Sequence, residues 1–222
     1  MRDAYRFNFE SETWKRVEYP AGFSNDPVIP FGRPHQHQCC DPTIPKPTYG
    51  HSMVVASKTH ALIFGGTEGQ DYDNTVFAVN LESFVWTILK CSGDIPSPRY
   101  MARCFVLPAN SSSPSKRLLV LGGDEHLPDP VSPSQVHELN LSTLVWKRIP
   151  ISNDPDTPRS RLGTAIAELD NGEFILFGGR SKKMSEPLTH LMMGDQSNET
   201  FFYSSRRQTF VRCKLPPPPP RD

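Results

Sequence analysis

Residues 76–86 (VFAVNLESFVW) and 136–146 (VHELNLSTLVW) decide the fold of this 222-residue chain. The two stretches align without gaps, and each carries an asparagine six residues before its tryptophan. Residues 4–14 (AYRFNFESETW) are a third copy, and residues 200–210 (TFFYSSRRQTF) are a weaker fourth, with serine and phenylalanine at the two marked positions. Such recurrence predicts a repeat architecture, in which each unit buries its apolar faces against its neighbours.

Two further landmarks recur with these stretches. Three apolar runs end in a double glycine, and a proline-led segment precedes each run: residues 47–52 (PTYGHS), 98–101 (PRYM) and 158–161 (PRSR). The first glycines of successive pairs are 57 and 56 residues apart. The glycines of the three pairs are Gly65, Gly66, Gly122, Gly123, Gly178 and Gly179.

The segments between the landmarks are typical of β-strands. Apolar runs cover residues 53–56, 104–107 and 164–169, and the last is joined to residues 173–177 by Asp-Asn-Gly at 170–172. Asn-Gly between apolar runs is a strong hairpin signal, because both turn residues need positive φ. Two more strands follow each double glycine, so the predicted unit is a four-stranded antiparallel meander. One meander cannot bury both of its faces, which favours radial stacking of several copies in a propeller.

The order of proline-led segment, apolar strand, double glycine, aromatic strand and tryptophan resembles the kelch repeat, whose period is about 50 residues. The resemblance covers most of residues 1–17 and 48–213. It implies an all-β, kelch-type β-propeller with about three and a half four-stranded blades. A WD40 propeller would show a Trp-Asp dipeptide, and this sequence contains none.

The recurring glycines and tryptophans are interpreted as structural. A double glycine at a strand end supplies positive φ or a close backbone approach, and no helix that could make it a phosphate cradle is predicted to follow. We expect the three tryptophans to pack between blades. They are Trp14, Trp86 and Trp146.

The landmarks divide the chain into six parts. The predicted parts are the second half of a kelch blade (1–17), a long loop insert (18–45), a kelch blade (46–90), a second kelch blade (91–150), a divergent kelch blade (151–213) with an insert at 181–198, and a proline-rich tail (214–222). The first copy lacks the strands that would carry a double glycine, so the blades do not add up to a ring. We therefore expect part of a larger propeller of about six or seven blades, a truncated form, or a subunit that associates with another copy through open blade edges.

Composition excludes several classes of protein. Lysine plus arginine equals aspartate plus glutamate at 24 each, which gives no field favouring nucleic acid or a membrane surface. The first residues lack the apolar core of a signal peptide, and no run approaches the roughly 18 apolar residues of a membrane span. We expect a cytoplasmic protein, with the nucleus as the alternative. Five cysteines without secretory context favour free thiols over a disulfide framework.

The resemblance also implies where a partner binds. In the kelch domains of substrate adaptors, partner contacts come from residues just after the proline-led segment and just after the double glycine, around the mouth of the channel. Arg161 and Arg180 stand out because a guanidinium can bind a carboxylate with two hydrogen bonds, although both can instead be solvated loop charges. The matching positions are Tyr49, Gly50, Thr67, Tyr100, Met101, Asp124, Ser160, Arg161 and Arg180.

The expected function is therefore a protein–protein interaction module, either a ubiquitin-ligase substrate adaptor or a scaffold, without cofactor or catalytic residues. A galactose-oxidase-like propeller enzyme is the alternative, but no copper constellation of tyrosines and histidines is marked in the sequence. No Gly-x-Ser-x-Gly anchors a serine hydrolase. His35, His37, Cys39 and Cys40 are potential zinc ligands, but the paired spacing of a structural zinc site is absent, so no metal is predicted.

The proline-rich tail has its own pattern. Pro216, Pro219 and Arg221 fit the P-x-x-P-x-R arrangement that SH3 domains bind as polyproline II. A spacer is the alternative, because proline-rich ends commonly serve as linkers.

Overall fold

The computed structural model describes residues 5–16, 45–110, 113–125, 132–151, 156–159, 161–169, 172–180 and 196–213, and the strands in these ranges form four antiparallel units. The N-terminal hairpin contains β1 (Tyr5–Asn8) and β2 (Thr13–Arg16). Blade 1 contains β3 (Ser52–Val55), β4 (His60–Phe64), β5 (Val76–Asn80) and β6 (Trp86–Leu89). Blade 2 contains β8 (Arg103–Leu107), β9 (Arg117–Leu121), β10 (Val136–Asn140) and β11 (Val145–Ile149). Blade 3 contains β12 (Ala165–Glu168), β13 (Glu173–Phe177), β14 (Thr200–Ser204) and β15 (Thr209–Cys213).

Each blade is a meander in which sequential strands pair, so the predicted all-β, four-stranded unit is confirmed. Blade 2 differs in one respect. The short strand β7 (Ser92–Gly93), which follows blade 1, pairs in parallel with β11 and gives blade 2 a fifth strand. Nothing in the repeat pattern indicated this addition, because the pairing joins segments more than 50 residues apart in the chain.

The turn between the third and fourth strands of each blade explains the recurring asparagine. The side-chain Oδ1 of Asn80 accepts hydrogen bonds from the backbone N–H groups of Glu82 and Ser83, both at 2.9 Å. Asn8 and Asn140 make the same pair of bonds two and three residues ahead. An asparagine side chain that binds its own following backbone fixes a turn, so this residue type sets the connection between two strands.

The core lies between the blades, and β9 contributes to both sides of it. Successive side chains of a strand point to opposite faces. Leu118 and Val120 accordingly join the cluster against blade 1, whereas Leu119 and Leu121 join the cluster against blade 3. All four are at most 1% exposed. Full burial of each such side chain stabilises the fold by about 1.5–3 kcal/mol.

The three tryptophans differ in their surroundings. Trp146 is 2% exposed and packs across the interface on Phe64 of blade 1, with ring centroids 5.9 Å apart. Trp86 is partly buried. Trp14 is 69% exposed and contacts Phe7 of its own hairpin at 4.9 Å. The expectation of inter-blade packing is therefore wrong for Trp14, because its hairpin has two strands and pairs with no other described sheet.

Candidate functional site

The segment before each blade and the segment after its double glycine meet at one edge of the blade. Tyr49 and Thr67 exchange two backbone hydrogen bonds of 3.0 Å. Tyr100 and Asp124 do the same at 3.0 and 2.9 Å. In blade 3 the corresponding pair is Leu162 and Arg180, at 2.9 and 2.8 Å. These three pairs define the mouth edge of the blades.

The pairing corrects the alignment of the third proline-led segment. Since Leu162 takes the place of Tyr49 and Tyr100, the residue before it, Arg161, is the counterpart of Arg99. Matching the prolines of the two segments instead aligns Arg159 with Arg99, which shifts Arg161 by two positions. Backbone pairing, which a single sequence does not show, sets the register.

Arg99 and Arg161 form the same arginine clamp in their two blades. Nε of Arg99 donates to the carbonyl of Ser97 at 3.0 Å, and Nη1 donates to the carbonyl of Gly122 at 3.0 Å. Nε of Arg161 donates to the carbonyl of Arg159 at 3.0 Å, and Nη1 donates to that of Gly178 at 3.2 Å. In both blades the clamp holds the carbonyl of the first glycine of the pair.

A carboxylate completes each clamp. Nη2 of Arg161 lies 2.8 Å from Oε2 of Glu199, and this hydrogen bond lowers the pKa of the Glu199 carboxyl. Nη2 of Arg99 lies 3.6 Å from Oε2 of Glu125. Burial lowers the pKa of the Arg99 guanidinium, and the charge of Glu125 opposes that shift.

The interpretation of Arg161 as a group presented to a partner needs correction on this geometry. The residue is 6% exposed, and its guanidinium donates inside the blade. A guanidinium that is already paired and buried is a structural group, because removing it leaves polar partners without hydrogen bonds.

The backbone conformation at the double glycines, and the neighbouring backbone that lies close to them, require glycine. All six have positive φ, between 59° and 103°. A Cβ on Gly65 would lie 2.5 Å from the carbonyl oxygen of Arg99, far inside van der Waals contact. The backbone of Arg99 also binds blade 1, since its carbonyl accepts from Gly66 N–H at 2.9 Å and its N–H donates to Asp73 at 3.0 Å. Arg99 thus joins blade 1 through its backbone to blade 2 through its side chain.

Three tyrosines gather at the mouth edge between blades 1 and 2. The rings of Tyr72 and Tyr100 lie 4.9 Å apart at 52°, and the rings of Tyr49 and Tyr100 lie 6.2 Å apart at 82°. The Tyr72 hydroxyl donates to Oδ2 of Asp124 at 3.3 Å. We call Tyr49, Tyr72, Tyr100 and Asp124 the tyrosine cluster.

Burial and the nearby carboxylate alter the ionisation of this cluster. Burial raises the pKa of Tyr72 well above its usual range, and the negative charge of Asp124 adds to the shift. The same two causes, in the same order, raise the pKa of Tyr100. Both phenols therefore stay protonated at neutral pH and keep their hydrogens as donors.

Two backbone contacts fix the cluster in place. The N–H of Met101 donates to the carbonyl of Gly50 at 2.6 Å, which joins the two mouth segments directly. Gly50 has φ of 67°, and a Cβ there would lie 2.8 Å from Cδ2 of Tyr100. Glycine at position 50 is therefore what lets the Tyr100 ring pack against this segment. Met101 remains 46% exposed beside it.

The loop that carries Tyr72 is acidic. Residues 67–73 (TEGQDYD) contain three carboxylates, of which Glu68 and Asp71 are exposed. Lys46 Nζ donates to Oε1 of Glu68 at 3.0 Å, and this bond raises the pKa of Lys46, with smaller contributions from Asp71 and Asp73.

The remaining predicted site residues have different surroundings. Thr67 is 1% exposed, and its hydroxyl donates to the carbonyl of Asp71 at 2.8 Å, so its side chain supports the loop. Arg180 is partly buried and bridges to Gln196 as well as to Leu162. Ser160 lies outside the described residues, as do the four potential zinc ligands at 35–40 and the proline-rich tail.

Sequence reasoning missed Tyr72 and Arg99. Tyr72 follows its double glycine by six residues, and its only sequence signal was its place in the acidic loop. Arg99 stood in a recognised segment but was not singled out, because sequence alone does not separate a buried guanidinium from a solvated one.

Metal-site geometry is not seen in the part of the chain that the structure covers: no three His, Cys, Asp or Glu side chains group closely enough there to hold an ion. The same described ranges contain no helix of the length and apolarity that crossing a bilayer requires.

Comparison with known proteins adds relatives that share the repeat. No protein-family model matches the sequence. Kelch domain-containing protein 3 of Bos taurus is 25% identical over 219 residues, which cover 98% of this chain and 50% of that protein. The Homo sapiens protein of the same name is 25% identical over 178 residues, covering 80% of this chain and 43% of that protein. The Rab9 effector protein with kelch motifs of Bos taurus is 30% identical over 115 residues, covering 51% of this chain and 29% of that protein.

The chain spans half the length, or less, of these relatives. Their names carry the repeat that the sequence landmarks indicated, and the four-stranded meanders have the architecture of its blades. The chain is therefore similar to kelch-repeat proteins over most of its length, and its described strands have the arrangement of kelch-type propeller blades.

Proposed function

We propose that this chain is a protein-interaction module that binds a protein partner at the mouth edge between blades 1 and 2. The observation that carries the proposal is the tyrosine cluster, where Tyr49 is 57% exposed beside two partly buried tyrosines. Tyrosine is enriched at binding hot spots because it offers a large, stiff apolar surface with a polar end.

The relatives are consistent with this proposal. One of them is named as an effector of Rab9, and the others are named by their kelch domain. None of these names describes an enzymatic activity. The galactose-oxidase-like alternative has no observation in its favour among the described residues.

Site-specific photocrosslinking tests the proposal. A photoreactive benzoylphenylalanine in place of Tyr49 should form covalent adducts with a discrete protein when cells are irradiated. The same residue in place of Glu82, in the turn at the opposite end of blade 1, is the matched control and should give none of these adducts. Identical adducts from both positions, or none from position 49, would remove the mouth edge as the binding site.

Two finer roles, ubiquitin-ligase substrate adaptor and scaffold, make opposite predictions about the crosslinked partner. If the chain is a substrate adaptor, depleting it lengthens the partner's half-life. If it is a scaffold, depletion leaves that half-life unchanged and disperses the partner's complexes. A cycloheximide chase with native electrophoresis separates the two.

A further inference from the structure

The rings of the tyrosine cluster differ in their access to solvent. Tyr100 lies in the middle, 4.9 Å from Tyr72 and 6.2 Å from Tyr49, and it is partly buried. Tyr49 stands nearly perpendicular to it and is more than half exposed. A side chain from a partner can therefore contact aromatic surface on Tyr49 and Tyr100 at once.

Asp124 makes the aromatic surface more negative. It is 6% exposed and accepts a hydrogen bond from the Tyr72 hydroxyl. A phenol that donates to a carboxylate gains electron density in its ring, and a cation above such a ring is attracted more strongly. Because the carboxylate is buried, little water screens it from the rings.

The surroundings add negative charge outside the rings. Asp71 is exposed in the loop that carries Tyr72, and Glu68 lies in the same loop with Lys46 as its partner. Opposite charge across an interface speeds encounter and suppresses wrong partners. An anionic side chain would be repelled from this mouth edge.

We propose that the tyrosine cluster binds a cationic side chain, arginine in preference to lysine, presented by a peptide segment of the partner. The proposal deepens the protein-interaction function given above and rests on it. A guanidinium is planar and weakly hydrated, so it can stack on a tyrosine face and donate to an outer carboxylate, whereas an ammonium retains its water more strongly.

The site is built before the ligand arrives. The bond between Met101 N–H and the Gly50 carbonyl joins the two segments that carry Tyr49 and Tyr100. Backbone pairs with Thr67 and Asp124 hold the same two tyrosines on their other sides. Binding therefore needs little reordering of this chain, which favours recognition of a short segment.

Labelled peptides of one Gly-Ser sequence with arginine, lysine, citrulline or glutamate at the centre provide the test. Citrulline keeps the shape of arginine and removes its charge. With the whole chain in fluorescence anisotropy, the arginine peptide should bind at least about tenfold more tightly than the citrulline and glutamate peptides, and more weakly at raised salt. Equal affinity for arginine and citrulline overturns the proposal, as does the absence of binding by any cationic peptide.

Variants locate the binding. Tyr49→Ala, and Asp124→Asn or Tyr72→Phe, which retain shape, should each lower affinity for the arginine peptide by about threefold to tenfold. Tyr5→Ala and Glu82→Gln change an exposed tyrosine and a distant exposed carboxylate and should leave that affinity unaltered. Thermal melting of each variant separates lost binding from lost fold. Loss in the two control variants as well, with intact folds, places the peptide elsewhere and overturns the proposal.

The same experiments distinguish failure of the cationic-ligand proposal from failure of the protein-interaction function. If the glutamate peptide binds in a Tyr49-dependent way, or if photocrosslinking at position 49 yields a partner while no cationic peptide competes, the cationic ligand is wrong and the interaction function stands. If neither peptides nor adducts depend on position 49, both fail.

Discussion

Arg99 and Arg161 each join the segment before a blade to the double glycine of that blade through side-chain hydrogen bonds. Each guanidinium is buried beside a double glycine and donates to the carbonyl of its first glycine. The clamp is therefore part of the fold, whereas Tyr49 beside it is exposed and can contact a partner.

Arg161→Ala should destabilise the protein. The substitution removes the Arg161 donor of the buried Gly178 carbonyl and leaves the Glu199 carboxylate with only Ser197 and Arg212 as partners, which lowers the free energy of unfolding by roughly 2–3 kcal/mol. Urea titration measures this change. Arg206→Ala, an exposed arginine in the last turn, is the control and should alter stability by less than about 0.5 kcal/mol. Similar stability of both variants would contradict the clamp.

His137 on β10 links stability to pH. It is 6% exposed, and burial lowers its pKa from 6.5 to about 4, with the charges of Arg99 and Arg148 acting in the same direction and Asp94 opposing them. The unfolded chain binds a proton near pH 6.5 and the folded chain does not. The stabilising effect of neutral His137 is thus complete above pH 6.5 and is lost as pH falls toward 4.

His137→Leu should flatten the pH dependence of stability between pH 6.5 and 4. Between pH 6.5 and 4 the parent protein should lose roughly 2–3 kcal/mol more of its free energy of unfolding than the variant does. Urea unfolding at several pH values measures this difference. His60→Leu replaces an exposed histidine and should keep the parent's slope. An unchanged slope in the His137 variant would show that another group titrates.

At the scale of the element, sequence predicted the strands well and their register less well. The predicted run 173–177 coincides with β13, and 104–107 lies within β8, because alternation and turn residues are local signals. The equivalence of Arg161 with Arg99 and the place of Tyr72 depend on pairing across distant segments. Local pattern carries no information about such pairing, so those two features had to come from the structure.

The turn between the third and fourth strands offers a test within blade 3. Ser204 takes the asparagine position there and receives one bond, from Arg207 N–H at 3.4 Å, where asparagine receives two of about 3 Å in the other turns. Ser204→Asn should therefore raise the free energy of unfolding by about 0.5 kcal/mol, and Asn80→Ala should lower it by about 1 kcal/mol. Thermal denaturation checks both signs. A lower stability for Ser204→Asn would count against the shared turn.

On the scale of the whole molecule, blade 3 has one apolar face against blade 2 and another toward solvent. Phe174, Leu176 and Phe201 are buried, whereas Phe177 and Phe202 on the opposite face are 51% and 40% exposed. Val211 continues that face at 54% exposure. An apolar sheet face of this kind favours association.

The two-sided burial of β9 has a consequence for how the protein opens. When blade 2 separates from one neighbouring blade, the other blade still covers β9. The amide hydrogens of β9 therefore exchange with solvent only when both interfaces open. Deuterium should therefore enter β9 last, at a rate set by global unfolding, and should enter the exposed β1–β2 hairpin within the earliest time points. Exchange at β9 therefore reports the global unfolding of the described blades, whereas exchange at the hairpin reports local opening.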